Sequence, residues 1–227
     1  MGSIARLCAN FDISELRLVN PKCNIDNELA IKMSMKGKQF LYTAKQYSSL
    51  HEAVADCKKI VTTCGRKDHN YEIPLVSPND ALKWLLNSQQ PQVAIVFGRE
   101  DRGLDNQELG LSNKVISIDT GSKYQSLNLS HAVSIVLYEL KRVREKSSNK
   151  TIILTGKNLA NQSEINDFID DARKLLLEIG FLHEHTSQAR MRKIRRMLNK
   201  SELNENDIAI LRGIIKQLKW AINQKKE

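Results

Sequence analysis

The sequence has few cysteines, no long apolar run and neither of the common nucleotide-binding fingerprints, GxGxxG and GxxxxGK[ST]. Its four cysteines, at positions 8, 23, 57 and 64, include no CxxC pair, which disfavours a zinc site or a disulfide framework and favours a reducing compartment. No stretch approaches the roughly 18 apolar residues of a membrane span, and no signal-peptide core is evident. We therefore expect a cytoplasmic protein with no membrane partner and no bound metal.

The charge of the chain is strongly positive. Lysine and arginine number 35 against 26 aspartates and glutamates, a formal net charge of +9, in a sequence that is 41% hydrophobic and 27% charged. These proportions are ordinary for a globular protein, and a positive charge of this size attracts polyanions such as nucleic acid. Solubility alone is the alternative explanation of the charge, and composition does not choose between the two.

Short β-like runs alternate with helical patterns through about residue 145, which predicts an α/β fold with a mostly parallel sheet. The run VAIVF at residues 93–97 has the length and β-branching of a strand buried on both faces. Further strands are predicted at residues 16–19, 40–42, 59–64 and 115–118. Helices are predicted at residues 28–35, from Ser77 through the apolar positions up to Leu86, and at residues 129–143.

The pattern changes near residue 146. Residues 147–162 are mostly polar and predict a linker, and no strand signal follows them. Three amphipathic helices are predicted instead, at about residues 163–179, 187–198 and 205–222. In the last helix the residues predicted to face inward are Ile208, Leu211, Ile214, Ile215 and Leu218. From residue 150 onward 15 basic residues stand against 10 acidic ones, so this all-α extension is the more basic part of the chain for its length.

Three segments that follow predicted strands or precede a predicted helix carry small and polar residues. They are residues 63–66 (TCGR), 97–104 (FGREDRGL) and 124–130 (YQSLNLS). Ligands of open α/β sheets bind at the carboxyl ends of the strands, and glycine lets a ligand approach the backbone closely. Tight turns, a salt-bridged surface and helix capping by Ser or Asn explain the same residues without a ligand.

Three segments resemble the signature motifs of SpoU-class (SPOUT) RNA methyltransferases. Residues 93–109 (VAIVFGREDRGLDNQEL) and 124–133 (YQSLNLSHAV) resemble the second and third motifs, and residues 2–6 (GSIAR) resemble the end of the first. The resemblance implies a catalytic domain over residues 1–146, with a trefoil-knotted, mostly parallel sheet flanked by helices. It also implies a homodimer in which each active site borrows groups across the interface.

The C-terminal extension, residues 163–227, resembles that of one branch of this class. Residues 176–182 (LLEIGFL) and 191–211 (MRKIRRMLNKSELNENDIAIL) are similar to the extension of the TrmJ branch, the tRNA (cytidine/uridine-32) 2′-O-methyltransferases. The resemblance implies S-adenosylmethionine-dependent methylation of a ribose at position 32, in the anticodon loop of tRNA. Methylation of ribosomal RNA, and RNA binding without catalysis on the same scaffold, are the alternatives.

The resemblance also implies roles for individual residues. The residues implied to bind the cofactor are Thr63, Cys64, Gly65, Gly98, Ile118, Ser126, Leu127 and Asn128. Arg6 is implied to be the catalytic arginine, with Glu100, Ser126 and Asn128 as polar residues nearby. Because arginine side chains stay protonated, we expect Arg6 to orient the ribose 2′-hydroxyl and stabilise the developing alkoxide rather than act as a base.

Five cations are concentrated in the second helix of the extension. They are Arg190, Arg192, Lys193, Arg195 and Arg196. A solvated helix face is the usual explanation of such a run. With an RNA substrate we expect phosphate contacts instead, which makes the extension an RNA-binding domain.

The first motif of the family begins with a strand and an asparagine that would precede Met1, so we expect the catalytic domain to be N-terminally incomplete. A parallel sheet covered on both faces needs every strand to satisfy its backbone hydrogen bonds. We therefore expect that a chain carrying this segment is more stable and more active.

Overall fold

The computed structural model describes residues 1–65, 75–87, 92–121, 123, 125–147 and 158–224. Its strands are β1 (Arg17–Val19), β2 (Lys45–Tyr47), β3 (Lys59–Thr63), β4 (Leu75–Val76), β5 (Val93–Val96) and β6 (Lys114–Ile116). The helices before the extension are α1 (Gly2–Asn10), α2 (Glu28–Ser34), α3 (Lys38–Tyr42), α4 (Leu50–Ala53), α5 (Pro78–Leu86), α6 (Asn106–Leu109) and α7 (Leu129–Ser147). The extension contains α8 (Gln162–Glu178), α9 (Glu184–Lys200) and α10 (Glu205–Gln224).

Four of these strands form one sheet in the order β4–β6–β3–β5, and β1 and β2 form a separate pair. Thr62 of β3 pairs with Val96 of β5, and Thr63 pairs with Ile116 of β6. Strands β3, β5 and β6 therefore end at the same edge of the sheet. Every strand pair in the described part of the chain is parallel, which confirms the predicted α/β architecture.

Helices cover both faces of the four-stranded sheet. Ile60 and Val61 are adjacent in β3 and point to opposite faces, as the two-residue period of a strand requires. Val61 belongs to a buried cluster formed with α5 and α7, and Ile60 belongs to a second cluster with Leu50 of α4 and with Leu111. Burying a side chain of this size contributes about 1.5–3 kcal/mol, so the two clusters together fix the position of β3.

Strand β5 lies at one edge of the sheet, with β3 as its neighbour. Val93 and Ile95 pack against the cluster on one face, and Ala94 and Val96 pack against the cluster on the other. All four residues remain partly exposed, because only one neighbouring strand covers them in the part of the chain that is described. The prediction of a strand with two apolar faces is confirmed, but its full burial is not.

The strand predicted at residues 40–42 is wrong, because these residues form the end of helix α3. Phe40 and Leu41 are buried against Ala5 and Cys8 of α1. A run of three apolar or aromatic residues is too short to show a period of 2 or 3.6, so the sequence could not separate the two structures. The chain forms its strand β2 directly afterwards, at Lys45–Tyr47.

The three predicted helices of the extension are present and share a core, formed by Ala160, Ile165, Phe168, Ile169, Ala172, Leu182, Met191 and Ile208. Helix α8 begins with a capping box between Asn161 and Glu164. In α10 the predicted inward face is partly wrong, since Ile214 is 51% exposed and Leu218 is 47% exposed. Residues 148–157 of the predicted linker lie outside the described residues.

The extension packs against the amino ends of the strands. The Gln162 amide donates to the carbonyl oxygen of Cys57 at 3.1 Å, just before β3. Asn199 Nδ2 donates to the carbonyl oxygen of Gly110 at 3.2 Å, and Asn113 Nδ2 donates to the carbonyl oxygen of Asn199 at 3.1 Å, just before β6. The basic extension is therefore anchored at the edge of the sheet opposite the carboxyl ends.

Candidate active site

Two hydrogen bonds hold the carboxyl ends of three strands together. Thr63 Oγ1 donates to the carbonyl oxygen of Val96 at 3.2 Å, and the Cys64 amide donates to the carbonyl oxygen of Ile116 at 2.9 Å. Gly98 follows β5 by two residues. Three of the residues predicted to bind the cofactor, Thr63, Cys64 and Gly98, thus lie at one edge of the sheet.

The segment that precedes α7 turns back towards the end of β3. Thr120 Oγ1 donates to the carbonyl oxygen of Gln125 at 3.4 Å. A Cβ atom built on Gly65 would lie 3.9 Å from the same oxygen, so a side chain larger than alanine at this position would enter the gap between the two segments. Gly65 is exposed, and Ile118 packs against the core below. The segment after β3 and the segment before α7 therefore approach each other where the predicted cofactor residues lie.

Asn128 lies at the start of α7, beside the exposed Ser126 and the half-buried Leu127. Its Oδ1 accepts hydrogen bonds from the Ser130 amide at 2.9 Å and from Ser130 Oγ at 2.7 Å. This is the geometry of a helix N-cap, and it confirms the capping interpretation for Asn128. Ser126 and Asn128 are both exposed. Residues 66 and 124 of the predicted loops lie outside the described residues.

Gly98 is required by the fold of its own loop. A Cβ atom at this position would lie 2.4 Å from the carbonyl carbon of Gly103 and 2.4 Å from the Leu104 nitrogen. Gly103 has a φ of +69°, and its amide donates to the carbonyl oxygen of Arg99 at 2.9 Å. The glycines of this motif thus form a tight turn, as the interpretation without a ligand predicts.

The charged residues of this loop pair with one another on its surface. Arg99 Nε donates to Asp101 Oδ1 at 2.9 Å, and this hydrogen bond is the main cause of a lowered pKa for the Asp101 carboxyl. Arg102 Nη2 lies 3.5 Å from Glu108 Oε1. Glu100 is exposed. Exposed pairs of this kind contribute little to stability, and here they shape the loop next to the predicted cofactor residues.

Arg6 is exposed on α1, and its neighbours explain why the GSIAR segment packs as it does. Ala5 is buried on the other side of the helix. A Cβ atom on Gly2 would lie 2.1 Å from the carbonyl oxygen of Ala30, so glycine at position 2 lets α1 approach α2 closely. Within the described ranges Arg6 has no ion pair or hydrogen bond through its side chain, which leaves its guanidinium able to bind an anionic substrate.

The cations of α9 lie in three different environments. Arg192 and Lys193 are exposed. Arg190 donates to the carbonyl oxygen of Phe181 at 3.0 Å, and its guanidinium lies 5.9 Å from the Phe181 ring centroid. Arg196 is half-buried. The exposed cations of α9 are therefore accessible for the predicted phosphate contacts.

Arg195 differs from the other cations because it points into the protein. Its guanidinium donates to Asn166 Oδ1, and Asn166 Nδ2 lies 3.3 Å from His51 Nδ1. Burial lowers the pKa of Arg195. It also lowers the pKa of His51, with the nearby charge of Arg195 as the second cause. In the structure this side chain joins α8 and α9 and, through Asn166, the start of α4, and its contact with RNA stays a prediction.

A cluster of basic residues around Trp84 was not predicted. Lys59 is buried, its Nζ donates to the carbonyl oxygen of Trp84 at 2.8 Å, and this nitrogen lies 4.5 Å from the Trp84 ring centroid. Burial lowers the pKa of Lys59. Lys114 Nζ lies 5.2 Å from the same ring. The available sequence signal was a lysine at the start of each of two apolar strands.

Neither a metal-binding cluster nor a membrane-spanning helix is present among the described residues. Among them, no group of three or more His, Cys, Asp or Glu side chains has the arrangement needed to hold a metal ion. No helix in the same part of the chain is both long enough and apolar enough to cross a membrane.

Comparison with known proteins covers both parts of the chain. A model of the SpoU rRNA Methylase family matches residues 1–138. A model of the C-terminal domain of the tRNA methyltransferase TrmJ matches residues 163–227. Both regions carry the segments on which the resemblance to this class was based.

Relatives and solved structures agree with these matches. The tRNA (cytidine-2′-O-)-methyltransferase TrmJ of Methanocaldococcus jannaschii is 35% identical over 185 residues, covering 77% of this chain and 78% of that protein. The tRNA (cytidine/uridine-2′-O-)-methyltransferase TrmJ of Cronobacter sakazakii is 29% identical, covering 99% of this chain and 93% of that protein. The crystal structure of TrmJ from Z. mobilis has a TM-score of 0.84 at 27% identity, covering 96% of this chain and 92% of that one.

Proposed function

Because this chain belongs to the SpoU rRNA Methylase family, we propose that it transfers a methyl group from S-adenosylmethionine to a ribose 2′-hydroxyl of tRNA. The observation that carries this proposal is that the segments after β3 and β5 and the segment before α7 meet at the carboxyl ends of one parallel sheet. The match of residues 163–227 to the TrmJ C-terminal domain favours tRNA over ribosomal RNA. The proposed target is position 32 of the anticodon loop, and the proposed compartment is the cytoplasm.

The cofactor would be held mainly by backbone groups of the three segments. Thr63 ends β3 and is followed by Cys64 and Gly65, Gly98 follows β5, and Ile118 follows β6, while Ser126, Leu127 and Asn128 precede α7. Gly65 fits this role because the space next to its Cα is bounded by the carbonyl oxygen of Gln125. When bound, S-adenosylmethionine supplies an electrophilic methyl group. We also propose that the catalytic domain of this chain has the trefoil knot of the family.

The chain's own residues must place the ribose, whose hydroxyl proton passes to solvent water as the methyl group is transferred. Arg6 is the proposed group that holds the 2′-hydroxyl and an adjacent phosphate, because its guanidinium is exposed and can donate two parallel hydrogen bonds. Such donors stabilise negative charge that develops on the attacking oxygen. Ser126, Asn128 and Glu100 are the proposed polar groups around it, with Asn128 Nδ2 available while Oδ1 caps α7.

We propose that the protein acts as a homodimer. Tyr138 is 55% exposed and Ile135 is 38% exposed on α7, and Met33 of α2 is 57% exposed. A contact between two copies would remove such apolar surface from water. Sedimentation velocity tests this directly, and a monomer with full methyl-transfer activity would refute it.

The function is tested by methyl transfer from labelled S-adenosylmethionine to tRNA that lacks the modification, followed by mapping of the modified nucleotide. We expect one 2′-O-methylated nucleotide at position 32 and no transfer to ribosomal RNA. Transfer to ribosomal RNA alone would support the second candidate substrate. Calorimetry distinguishes the proposed enzyme from an inactive RNA-binding protein, because the latter would bind tRNA without binding the cofactor.

A further inference from the structure

A cleft of about 250 Å³ lies between the C-terminal helices and the amino ends of the strands. Its lining includes Trp84, Asn113, Lys114, Arg196, Lys200 and Glu202. This cleft is at the edge of the sheet opposite Gly65 and Gly98. Lys114 of the lining is in register with Val61 of β3, so about 7 Å of rise along the strand separates its level from Thr63 at the carboxyl end.

The sides of the cleft are fixed by hydrogen bonds between the two parts of the chain. Trp84 Nε1 donates to the carboxylate of Glu202. Asn113 Nδ2 donates to the carbonyl oxygen of Asn199 at 3.1 Å, and Asn113 Oδ1 accepts from the Ile60 amide at 2.9 Å. These bonds hold the end of α9 against the start of β3 and β6, so the cleft is formed before a ligand arrives.

The charge of the lining favours an anion. Lys114, Arg196 and Lys200 are three cations, and Glu202 is the carboxylate facing them. The carboxylate already accepts a hydrogen bond from Trp84 Nε1. Buried Lys59 lies behind the Trp84 ring system at 4.5 Å from its centroid and adds positive potential. Three donors around a cavity of this size suit the oxygens of a phosphate group.

The same cations continue outward along α9. Arg192, Arg196 and Lys200 are spaced four residues apart, which places them on one face of the helix at steps of about 6 Å. Arg192 is exposed beyond the cleft. A row of cations that begins in a cleft and extends over the surface suits a chain of phosphates better than a single small ion.

We infer that this cleft is a second RNA-binding site, which takes a backbone phosphate of the substrate RNA outside the proposed cofactor site. The inference rests on the proposed function for the identity of the RNA. It assigns Lys114, Arg196 and Lys200 as phosphate-binding residues. The site anchors the RNA and takes no part in the transfer step, so its loss raises KM and leaves kcat unchanged.

The test compares the Lys114→Gln/Lys200→Gln double variant with the wild-type chain in binding and kinetics. We expect at least a tenfold weaker Kd for unmodified tRNA. The slope of log Kd against log salt should fall by about one, since each lost phosphate contact contributes roughly 0.7–0.9. The Kd for S-adenosylmethionine should not change. Lys200→Arg, which keeps the charge, should bind tRNA like the wild type.

Lys174→Gln is the matched control, because Lys174 is exposed on α8 in the same extension and lies outside the cleft lining. It should leave both the affinity for tRNA and the salt slope unchanged. An unchanged tRNA affinity in the double variant would overturn the inference. A drop equal to that of the control would overturn it as well, by showing a general effect of net charge.

Binding of inorganic phosphate distinguishes two ligands of the same chemistry, which are a free phosphate ion and a phosphate of the RNA backbone. If the double variant loses binding of inorganic phosphate but keeps the wild-type affinity for tRNA, the cleft is a small-anion site and the RNA assignment is overturned. Failure of the proposed function gives a different result: the wild-type chain would methylate no tRNA, while RNA binding would still depend on Lys114 and Lys200.

Discussion

The carbonyl oxygen of Gln125 lies 3.9 Å from the position that a Cβ atom on Gly65 would occupy. This proximity joins the segment after β3 to the segment before α7 across a gap without a side chain at position 65. Thr120 Oγ1 donates to the same carbonyl oxygen at 3.4 Å. A substitution that fills this gap therefore tests the proposed cofactor site without disrupting the fold.

Gly65→Val should weaken binding of S-adenosylmethionine at least tenfold, because the isopropyl group would enter the gap towards Gln125. The distance of 3.9 Å is an ordinary van der Waals contact, so the melting temperature should stay within a degree or two of the wild type. Isothermal titration calorimetry and thermal melting check the two expectations. Unchanged cofactor affinity would remove Gly65 from the site.

Gly98→Ala should reduce stability, in contrast to Gly65→Ala. The new methyl group would lie 2.4 Å from the carbonyl carbon of Gly103, and overpacking of this kind costs about 1–3 kcal/mol. For a chain of this size each 1 kcal/mol lowers the melting temperature by roughly 2–4 °C. Gly121→Ala is the control, because no atom of the described residues lies within 4 Å of its added Cβ. Equal melting temperatures for the Gly98 and Gly121 variants would contradict the turn geometry.

Arg6→Ala should abolish methyl transfer while the affinity for S-adenosylmethionine stays nearly intact. Arg6 is exposed on α1, and its proposed role concerns the ribose and not the cofactor. Arg6→Lys should rescue little activity, because an ammonium group cannot make the two parallel hydrogen bonds of a guanidinium. Single-turnover transfer and cofactor titration check these outcomes together. Equal loss of cofactor binding would show that Arg6 has been placed on the wrong side of the site.

The strand ends next to the proposed cofactor site could be predicted from the sequence, because strand ends follow from local patterns. The apolar run before Gly98 and the run before Gly65 each mark a strand, and parallel strands end at a common edge. Capping of α7 by Asn128 was equally visible, since Asn before an amphipathic run is an N-cap signal.

The contacts between the two parts of the chain could not be predicted in the same way. Arg195 and Arg192 belong to one basic run, yet only Arg195 faces Asn166. Helical periodicity tells which residues share a face, but not which face meets another domain. The cleft next to Trp84 could not be predicted for the same reason. Lys114 and Lys200 are 86 positions apart in the sequence, and only the packing of α9 against the strands brings both to one cavity.

Arg192→Ala and Arg195→Met should separate RNA binding from packing. Loss of the exposed Arg192 should lower the slope of log Kd for tRNA against log salt by roughly 0.7–0.9, with little change in stability. Arg195→Met should leave that slope unchanged and lower the melting temperature, because Asn166 Oδ1 loses its donor at a cost of about 1–3 kcal/mol. Salt titrations and melting curves of both variants provide the comparison. The reverse pattern would return Arg195 to the RNA-binding face.

His51 should make the stability of the protein depend on pH below neutrality. Burial, followed by the charge of Arg195, lowers the pKa of His51 in the folded state, while the unfolded chain has the ordinary value of about 6.5. As the pH falls, the unfolded state therefore takes up the proton first. The contribution of neutral His51 is present above about pH 6.5 and is lost progressively as the pH falls towards the lowered pKa. Urea midpoints measured from pH 8 to pH 5 should decrease over this range.

His51→Gln should flatten that decrease, because glutamine has no proton to take up and can still hydrogen-bond to Asn166. His131→Gln is the matched control, since His131 is exposed on α7 and should keep the wild-type pH dependence. The carboxyl of Asp56 has its own pKa lowered by the hydrogen bond from Arg17, so its contribution is lost only in a more acidic range. If the His51 and His131 variants show the same decrease between pH 8 and pH 5, the pH dependence does not come from the contact between α4 and α8.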